Sequence, residues 1–282
     1  MPRSVAIVTD STAYLPAATI AQRGVTVVPL TVVLGDEALP DGTERAARRL
    51  AQALGQKQPV TTSRPSPEEF AVAYRKIAAE AGVEGIVSLH LSSEISGTHD
   101  AAVLAAREAP VPVRVVDSGM IAMALGFSVL AAAEVADAGG SLDEAVAAAV
   151  KRAGAARAVF YVDTLEHLRR GGRIGTAQAL LGSALAVKPL LELADGRIEP
   201  LEKVRTASRA IARLEELAVE HAGAGPVDVA VHHLAAEERA QQLAERLRGR
   251  LPGLVALHVS EVGAVLGAHT GPGLLGAVVA PH

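Results

Sequence analysis

The chain contains no cysteine and no tryptophan, and its aromatic residues are three Phe and three Tyr among 282 residues. The absence of cysteine excludes disulfide bonds, thiolate metal sites and a cysteine nucleophile. With so few aromatic residues, the core must consist of Val, Leu, Ile and the 56 Ala residues. We attribute the alanine excess mainly to genome composition, although aliphatic walls also suit an aliphatic ligand.

Three further absences restrict the class of protein. No apolar run approaches the ~18 residues of a transmembrane helix, and the N-terminus shows no signal-peptide pattern. The net charge of −4 has the wrong sign for a general nucleic-acid binder. The sequence therefore predicts a soluble, cytoplasmic globular protein that does not bind nucleic acid.

The chain is long enough for two domains of roughly 150 residues each. In the first half, β-branched runs alternate with Ala-rich helical stretches, which is typical of a parallel sheet covered by helices. In the second half, Asp195-Gly196 predicts a hairpin between strands Ala186–Leu193 and Arg197–Val204. We therefore predict an α/β fold, with a parallel-sheet N-terminal domain at 1–155 and a mixed α/β domain at 156–282.

Four polar clusters follow predicted strands or precede predicted helices. Helix N-termini and hydroxyl groups favour anions, and the carboxyl ends of parallel strands share one edge of a sheet. Each cluster alone is typical of simple helix capping, but four together favour a carboxylate or other anion site. The clusters are Thr9-Asp10-Ser11-Thr12, Thr61-Thr62-Ser63-Arg64-Pro65-Ser66, Ser92-Ser93-Glu94-Ile95-Ser96-Gly97-Thr98 and Asp117-Ser118-Gly119.

Several enzyme motifs are absent or misplaced. The G-x-G-x-x-G match at Gly271–Gly276 lies too close to the C-terminus for a dinucleotide-binding unit. There is no Walker motif, no G-x-S-x-G elbow and no H-E-x-x-H spacing. We therefore expect no cofactor, no metal ion and no catalytic residue in this chain.

Two basic or histidine-containing segments remain. His269 lies in Gly267–Gly273, which we interpret as a loop because of its glycine content, and a surface histidine is the simpler alternative. A basic set could be a solvated face, or could dock an anionic protein, a phosphate group or, transiently, a membrane surface. The set comprises Arg169, Arg170, Arg173, Lys203, Arg205 and Arg209.

In this order along the chain, the motifs resemble those of the DegV family of bacterial fatty-acid-binding proteins. Besides the four clusters, the resemblance includes the segments 168–174, 187–190, 204–206 and 267–273. It implies two α/β domains with a long-chain fatty acid buried in a tunnel between them. It also implies an acyl carrier role in phospholipid synthesis, in which a separate ATP-dependent fatty acid kinase phosphorylates the bound acid.

The resemblance also implies a set of site residues. The carboxylate would be held by Thr62, Ser93 and His269, with Ser92 and Thr270 as neighbouring candidates, and Arg173 and Arg205 would face the kinase. The loops that support these residues contain Asp10, Ser11, Ser63, Ser96, Gly97, Thr98, Asp117 and Ser118. The family usually has Gln where this chain has Arg64, which would either add charge near the head group or point to solvent.

Two other functions remain open. A hydrolase or transferase acting on a small carboxylated substrate would use Ser93 or Thr62 as nucleophile and His269 as base. It would require that the two lie within about 2.6–3.2 Å of each other and that a third group orients the base. An acyl-sensing regulator would use the basic face to bind a protein other than a kinase.

Overall fold

The computed structural model describes residues 4–180 and 188–282. In those ranges the strands are β1 (Val5–Asp10), β2 (Val25–Val28), β3 (Thr31–Leu34), β4 (Glu37–Pro40), β5 (Thr61–Ser63), β6 (Gly85–His90), β7 (Val113–Asp117), β8 (Arg157–Tyr161), β9 (Lys188–Ala194), β10 (Arg197–Val204), β11 (Val227–His233), β12 (Leu254–Glu261) and β13 (Leu275–Pro281). The helices are α1 (Ala17–Arg23), α2 (Glu44–Gly55), α3 (Pro67–Ala78), α4 (Thr98–Ala106), α5 (Met123–Asp137), α6 (Leu142–Ala155), α7 (Glu166–Arg170), α8 (Ala207–Ala222), α9 (Glu237–Arg250) and α10 (Ala264–Thr270). None of these helices is long and apolar enough to cross a membrane.

The contacts of the chain divide it into two compact units. The described residues of Met1–Thr31 and Ser63–Gly154 form the first unit, and those of Val32–Thr62 and Ala155–His282 form the second. The predicted domain ranges, 1–155 and 156–282, differ from this division in the segment Val32–Thr62. The physical reason is local, since β3, β4 and β5 form a separate small sheet and α2 packs against α10 of the second unit.

The first unit contains the predicted parallel sheet, in the order β2-β1-β6-β7. Helices α3 and α4 cover Val8 and Ile86 on one face, and α5 also packs against β1 and β6. Because the strands are parallel, their carboxyl ends meet at one edge. Asp10, His90 and Asp117, which end β1, β6 and β7, therefore lie at that edge.

The second unit contains a mixed sheet in the order β10-β9-β8-β13-β11-β12. Its β11 and β12 are parallel and its other pairs are antiparallel. The predicted hairpin is confirmed, with Asp195 and Gly196 both at positive φ (48° and 76°) between β9 and β10. Residues 186 and 187 of the predicted strand Ala186–Leu193 lie outside the described residues.

One local prediction was confirmed in part and one was wrong. The extended segment predicted at Val25–Leu34 is broken at Pro29 into β2 and β3, because proline has no N–H for a ladder. The Gly267–Gly273 segment was predicted as a loop, but its first half belongs to α10. Position 267 of this helix is occupied by glycine because a larger side chain there would overlap Leu50.

One buried histidine in the second sheet makes the stability of the fold depend on pH. His232 on β11 lies with its Nδ1 3.0 Å from the Ser260 hydroxyl of β12. The pKa of His232 is lowered to about 4, first by burial and then by the neighbouring imidazoles of His233 and His258, although the contact with Ser260 favours protonation. The native state therefore holds this imidazole neutral where an unfolded chain would protonate it.

We expect the free energy of unfolding to fall as the pH falls from about 6.5 towards 4, since the unfolded state then binds more protons. The contribution of His232 is about 2 kcal/mol between pH 8 and pH 5. Urea unfolding at these two pH values measures it, and H232N should show a smaller pH dependence. An identical pH dependence in wild type and H232N would contradict this prediction.

Candidate functional site

The centre of the candidate site is a hydrogen bond between two predicted residues of the second unit. Thr62 Oγ1 on β5 lies 2.8 Å from Nε2 of His269 in the last turn of α10, across 207 positions of sequence. Asp41 accepts the Val265 N–H at the start of α10 (3.1 Å), and Gly271 ends the helix at φ 72°. The helix that carries the imidazole is thus fixed at both ends.

The electrostatics keep His269 uncharged. Burial, followed by the nearby guanidinium of Arg173, lowers the pKa of His269 to about 4. A neutral imidazole carries one N–H and one lone pair, so the hydrogen-bond pattern decides which nitrogen holds the proton.

The surroundings of the two ring nitrogens assign the tautomer. Nδ1 is buried and has no hydrogen-bond partner within residues 4–180 and 188–282. Because a buried N–H without an acceptor is rarer than an unused acceptor, we assign the proton to Nε2. His269 then donates to Thr62 Oγ1, and the Thr62 O–H is left to donate to an external acceptor.

Ser93, the second predicted ligand, lies in the first unit at the carboxyl end of β6. Its Oγ donates to Asp117 Oδ2 at 2.5 Å, and its backbone N–H donates to the same carboxylate at 3.2 Å. Asp117 also accepts the Gly119 N–H at 2.9 Å. The structure thus joins Ser93 to Asp117 and, separately, Thr62 to His269.

The two neighbouring candidates make local backbone contacts. Ser92 is fully buried, and its Oγ accepts the Glu94 N–H at 3.2 Å. Thr270 donates to the Leu266 carbonyl inside α10 at 3.0 Å. Their roles as ligands stay predictions.

A buried hydrogen-bond chain holds the Ser93 loop and was missed by the sequence reasoning. Asp10 accepts the Leu91 N–H at 3.0 Å and lies 3.1 Å from His90 Nδ1. His90 Nε2 lies 2.8 Å from Ser88 Oγ, which accepts the Tyr74 hydroxyl at 2.9 Å. The order Asp–His–Ser is that of a hydrolase triad, but Ser88 is fully buried between His90 and Tyr74. We therefore interpret this series of contacts as structural support for the loop. The sequence signal that could have revealed it is the pair of polar residues Ser88 and His90, at positions i and i+2 of the buried strand β6.

The supporting loops are held by short-range hydrogen bonds. Ser118 Oγ donates to the His90 carbonyl at 2.7 Å, which ties the loop after β7 to the end of β6. Ser11 accepts the Leu30 N–H at 3.1 Å, and Ser96 and Thr98 share a hydrogen bond of 2.8 Å. These contacts shape the loops, as capping residues do.

Arg64 and Ser63 lie at the surface next to Thr62. The Arg64 guanidinium is exposed but lies across Gly97, where a side chain would overlap it. Ser63 donates to the Arg64 carbonyl at 3.1 Å. Arg64 therefore covers the start of α4.

The arginines of the basic set are all exposed, and two of them share one carboxylate. Arg169 and Arg170 both pair with Glu166, at 2.7 and 2.8 Å. Arg173 is exposed and donates to the Gly171 carbonyl at 2.6 Å. Arg205 is exposed, and no carboxylate of a described residue lies within 4.0 Å of it.

The alternative of a hydrolase or transferase meets one of its two requirements. Thr62 and His269 are at the required distance, but no described side chain orients Nδ1. The described part of the chain also has no group of three His, Asp or Glu residues that could hold a metal ion.

Comparisons with known proteins agree with this arrangement of motifs. The family model of DegV proteins matches residues 4–282. A DegV domain-containing protein of Streptomyces coelicolor is 74% identical over 279 residues, covering 99% of both chains. Protein DegV of Bacillus subtilis is 37% identical over 277 residues, covering 97% of this chain and 98% of its own.

Solved structures show the same fold. One is a DegV family protein from Thermus thermophilus that is described as binding fatty acid. It superimposes with a TM-score of 0.93 at 35% identity, covering 99% of this chain and all of its own. DegV of Bacillus subtilis, described as a fatty acid binding protein, does so with a TM-score of 0.90 at 35% identity and the same coverage. The chain therefore belongs to the DegV family.

Proposed function

We propose that this protein binds a long-chain fatty acid and presents its carboxyl group to a separate ATP-dependent kinase. The observation that carries the proposal is the Thr62–His269 pair, in which a neutral imidazole leaves the threonine hydroxyl free to donate. The description of solved relatives as fatty acid binding proteins supports it.

Hydroxyl donors suit a carrier because they bind a carboxyl group without a buried counter-cation. A hydroxyl can hold either the carboxylate or the protonated acid, whereas a buried ion pair would resist release of the product. The acyl chain supplies the affinity, since burial of a C16 chain gains roughly 11–12 kcal/mol before the costs of association.

The kinase would supply the chemistry that this chain lacks. A carboxylate oxygen of the bound acid attacks the γ-phosphorus of ATP, a P–O bond forms, and ADP leaves with the electrons of the broken bond. The acyl phosphate stays on the carrier. Exposed Arg173 and Arg205 provide a positive surface for an anionic face of the kinase, or transiently for a membrane surface. We place this reaction in the cytoplasm, where ATP is present.

The distance of 2.8 Å between Thr62 and His269 favours one second candidate, an acyl transferase or hydrolase with Thr62 as nucleophile. This enzyme would need the other tautomer of His269, in which Nε2 is unprotonated and can accept the Thr62 proton. Incubation with fatty acyl esters or thioesters tests it. Turnover that T62V abolishes would support this enzyme, and absence of turnover would support the carrier.

We expect T62V to weaken palmitate binding by about tenfold or more, because it removes the hydroxyl that donates a hydrogen bond to the carboxyl group. Isothermal titration calorimetry measures the change. T61V is the matched control, since Thr61 precedes Thr62 in β5 and is exposed. Equal affinities of T62V and wild type would contradict the role of the threonine.

Ser93 is tested in the same way by S93A, with exposed Ser208 on α8 as the control position. We expect S93A to weaken palmitate binding several-fold, through loss of the hydroxyl and of its contact with Asp117, and S208A to have no effect. If S93A binds palmitate as tightly as S208A, Ser93 is not a ligand.

The docking surface is tested by charge reversal. We expect R205E to retain palmitate binding but to lower the rate of acyl phosphate formation by an added fatty acid kinase, measured with radiolabelled ATP, by about tenfold or more. K151E carries the same change in net charge on exposed α6 and should leave the rate unchanged. Equal rates for R205E and K151E would contradict docking through Arg205.

A further inference from the structure

Helices α7 and α10 pack against each other through a reciprocal arrangement of glycine and histidine. Each helix ends at a glycine, Gly171 after α7 and Gly271 after α10. Each also carries a histidine, His167 or His269, that lies against the terminal glycine of the other helix. Two short segments of the second unit are thereby joined at two points.

Of the two glycines, Gly171 is the one that lies against a residue of the candidate site, His269. A Cβ atom at this position would overlap Nδ1 of His269 and would lie 2.7 Å from its Cε1. The backbone of Gly171 has ordinary helical angles, φ −75° and ψ −8°. An alanine is therefore excluded at this position by the imidazole and not by backbone strain.

This contact determines what Nδ1 can do. The bare Cα of Gly171 covers the nitrogen, and no hydrogen-bond donor or acceptor of the described chain reaches it. Arg173 donates to the Gly171 carbonyl at 2.6 Å and so helps to hold this peptide in place. A C–H group next to Nδ1 is compatible with a lone pair there but gives a ring N–H no acceptor.

The second contact keeps α7 in position on α10. A Cβ atom at Gly271 would overlap Cδ2 of His167 and lie 2.9 Å from its Cγ. The imidazole of His167 is half-buried, and burial lowers its pKa, with a smaller effect of Arg170 in the same direction. A neutral ring can therefore pack closely on the glycine.

We propose that Gly171 is a positioning residue of the acid-binding pair, because it confines His269 to the tautomer that leaves the Thr62 hydroxyl free to donate. The basic segment that contains Arg169, Arg170 and Arg173 is thereby packed against the helix that carries His269. The predicted change in palmitate affinity rests on the proposed function. The tautomer of His269, in contrast, is measured without any ligand.

The tautomer is measured on the ligand-free wild-type protein by ¹⁵N NMR of the histidine side chains, with H269N used to assign the signal. We expect His269 to show a protonated Nε2 and an unprotonated Nδ1. A protonated Nδ1 overturns the inference, whether or not the protein binds fatty acid.

The G171A variant tests the consequence, with G249A on α9 as the control. Gly249 has nothing within 4 Å of its Cβ position, so its substitution changes only helix propensity. We expect G171A to weaken palmitate binding by about tenfold or more and to shift the His269 signal, while G249A changes neither.

The background variant H269A separates positioning from folding. Since removal of the imidazole relieves the overlap, G171A should have no further effect on palmitate affinity in H269A. Equal losses in both backgrounds would overturn the inference, as would unchanged affinity of G171A. If G171A does not fold, restored folding in G171A/H269A supports the contact and failure of both contradicts it. A wild type that binds no palmitate would refute the proposed function and leave the tautomer result standing.

Discussion

The hydrogen bond between Thr62 and His269 is the constraint on which the candidate site depends. It joins a short strand to a short helix over 207 positions of sequence. Asp41 fixes the start of α10, and α2 and α7 pack against its sides. Asp41, α2 and α7 therefore hold the imidazole beside the hydroxyl.

The chemistry of this pair follows from its burial. Because the imidazole is neutral, it acts as a fixed donor that orients the threonine and does not add charge to the site. Ser93 is oriented by a different device, the Asp117 carboxylate, while the buried chain from Tyr74 through His90 to Asp10 fixes its loop. Side chains that contact a ligand need such rigid support to lose little entropy on binding.

Features encoded by local pattern were predicted from the sequence. The alternating strands and helices of the first unit and the Asp195-Gly196 hairpin are of this kind, since periodicity and turn chemistry act over a few residues. The site residues, in contrast, came from the resemblance to DegV proteins. Of these, Thr62 and His269 are joined in the structure.

Features that depend on contacts distant in sequence were not predicted. The helix α10 was not predicted because of its glycines. Gly267 is a glycine because a side chain there would overlap Leu50 of α2, and this contact is not visible in the sequence. The contact between His90 and Asp10 was not predicted because the two residues are 80 positions apart in the sequence. The contact between Gly171 and His269 likewise exists only once α7 and α10 have packed.

Native mass spectrometry measures directly whether the protein binds a fatty acid. Protein loaded with palmitate or oleate and then freed of unbound lipid should show an added mass of one fatty acid per chain, and T62V should retain less of it than wild type. A wild-type protein that remains at the mass of the bare polypeptide after loading with both acids would show that it is not a fatty-acid-binding protein.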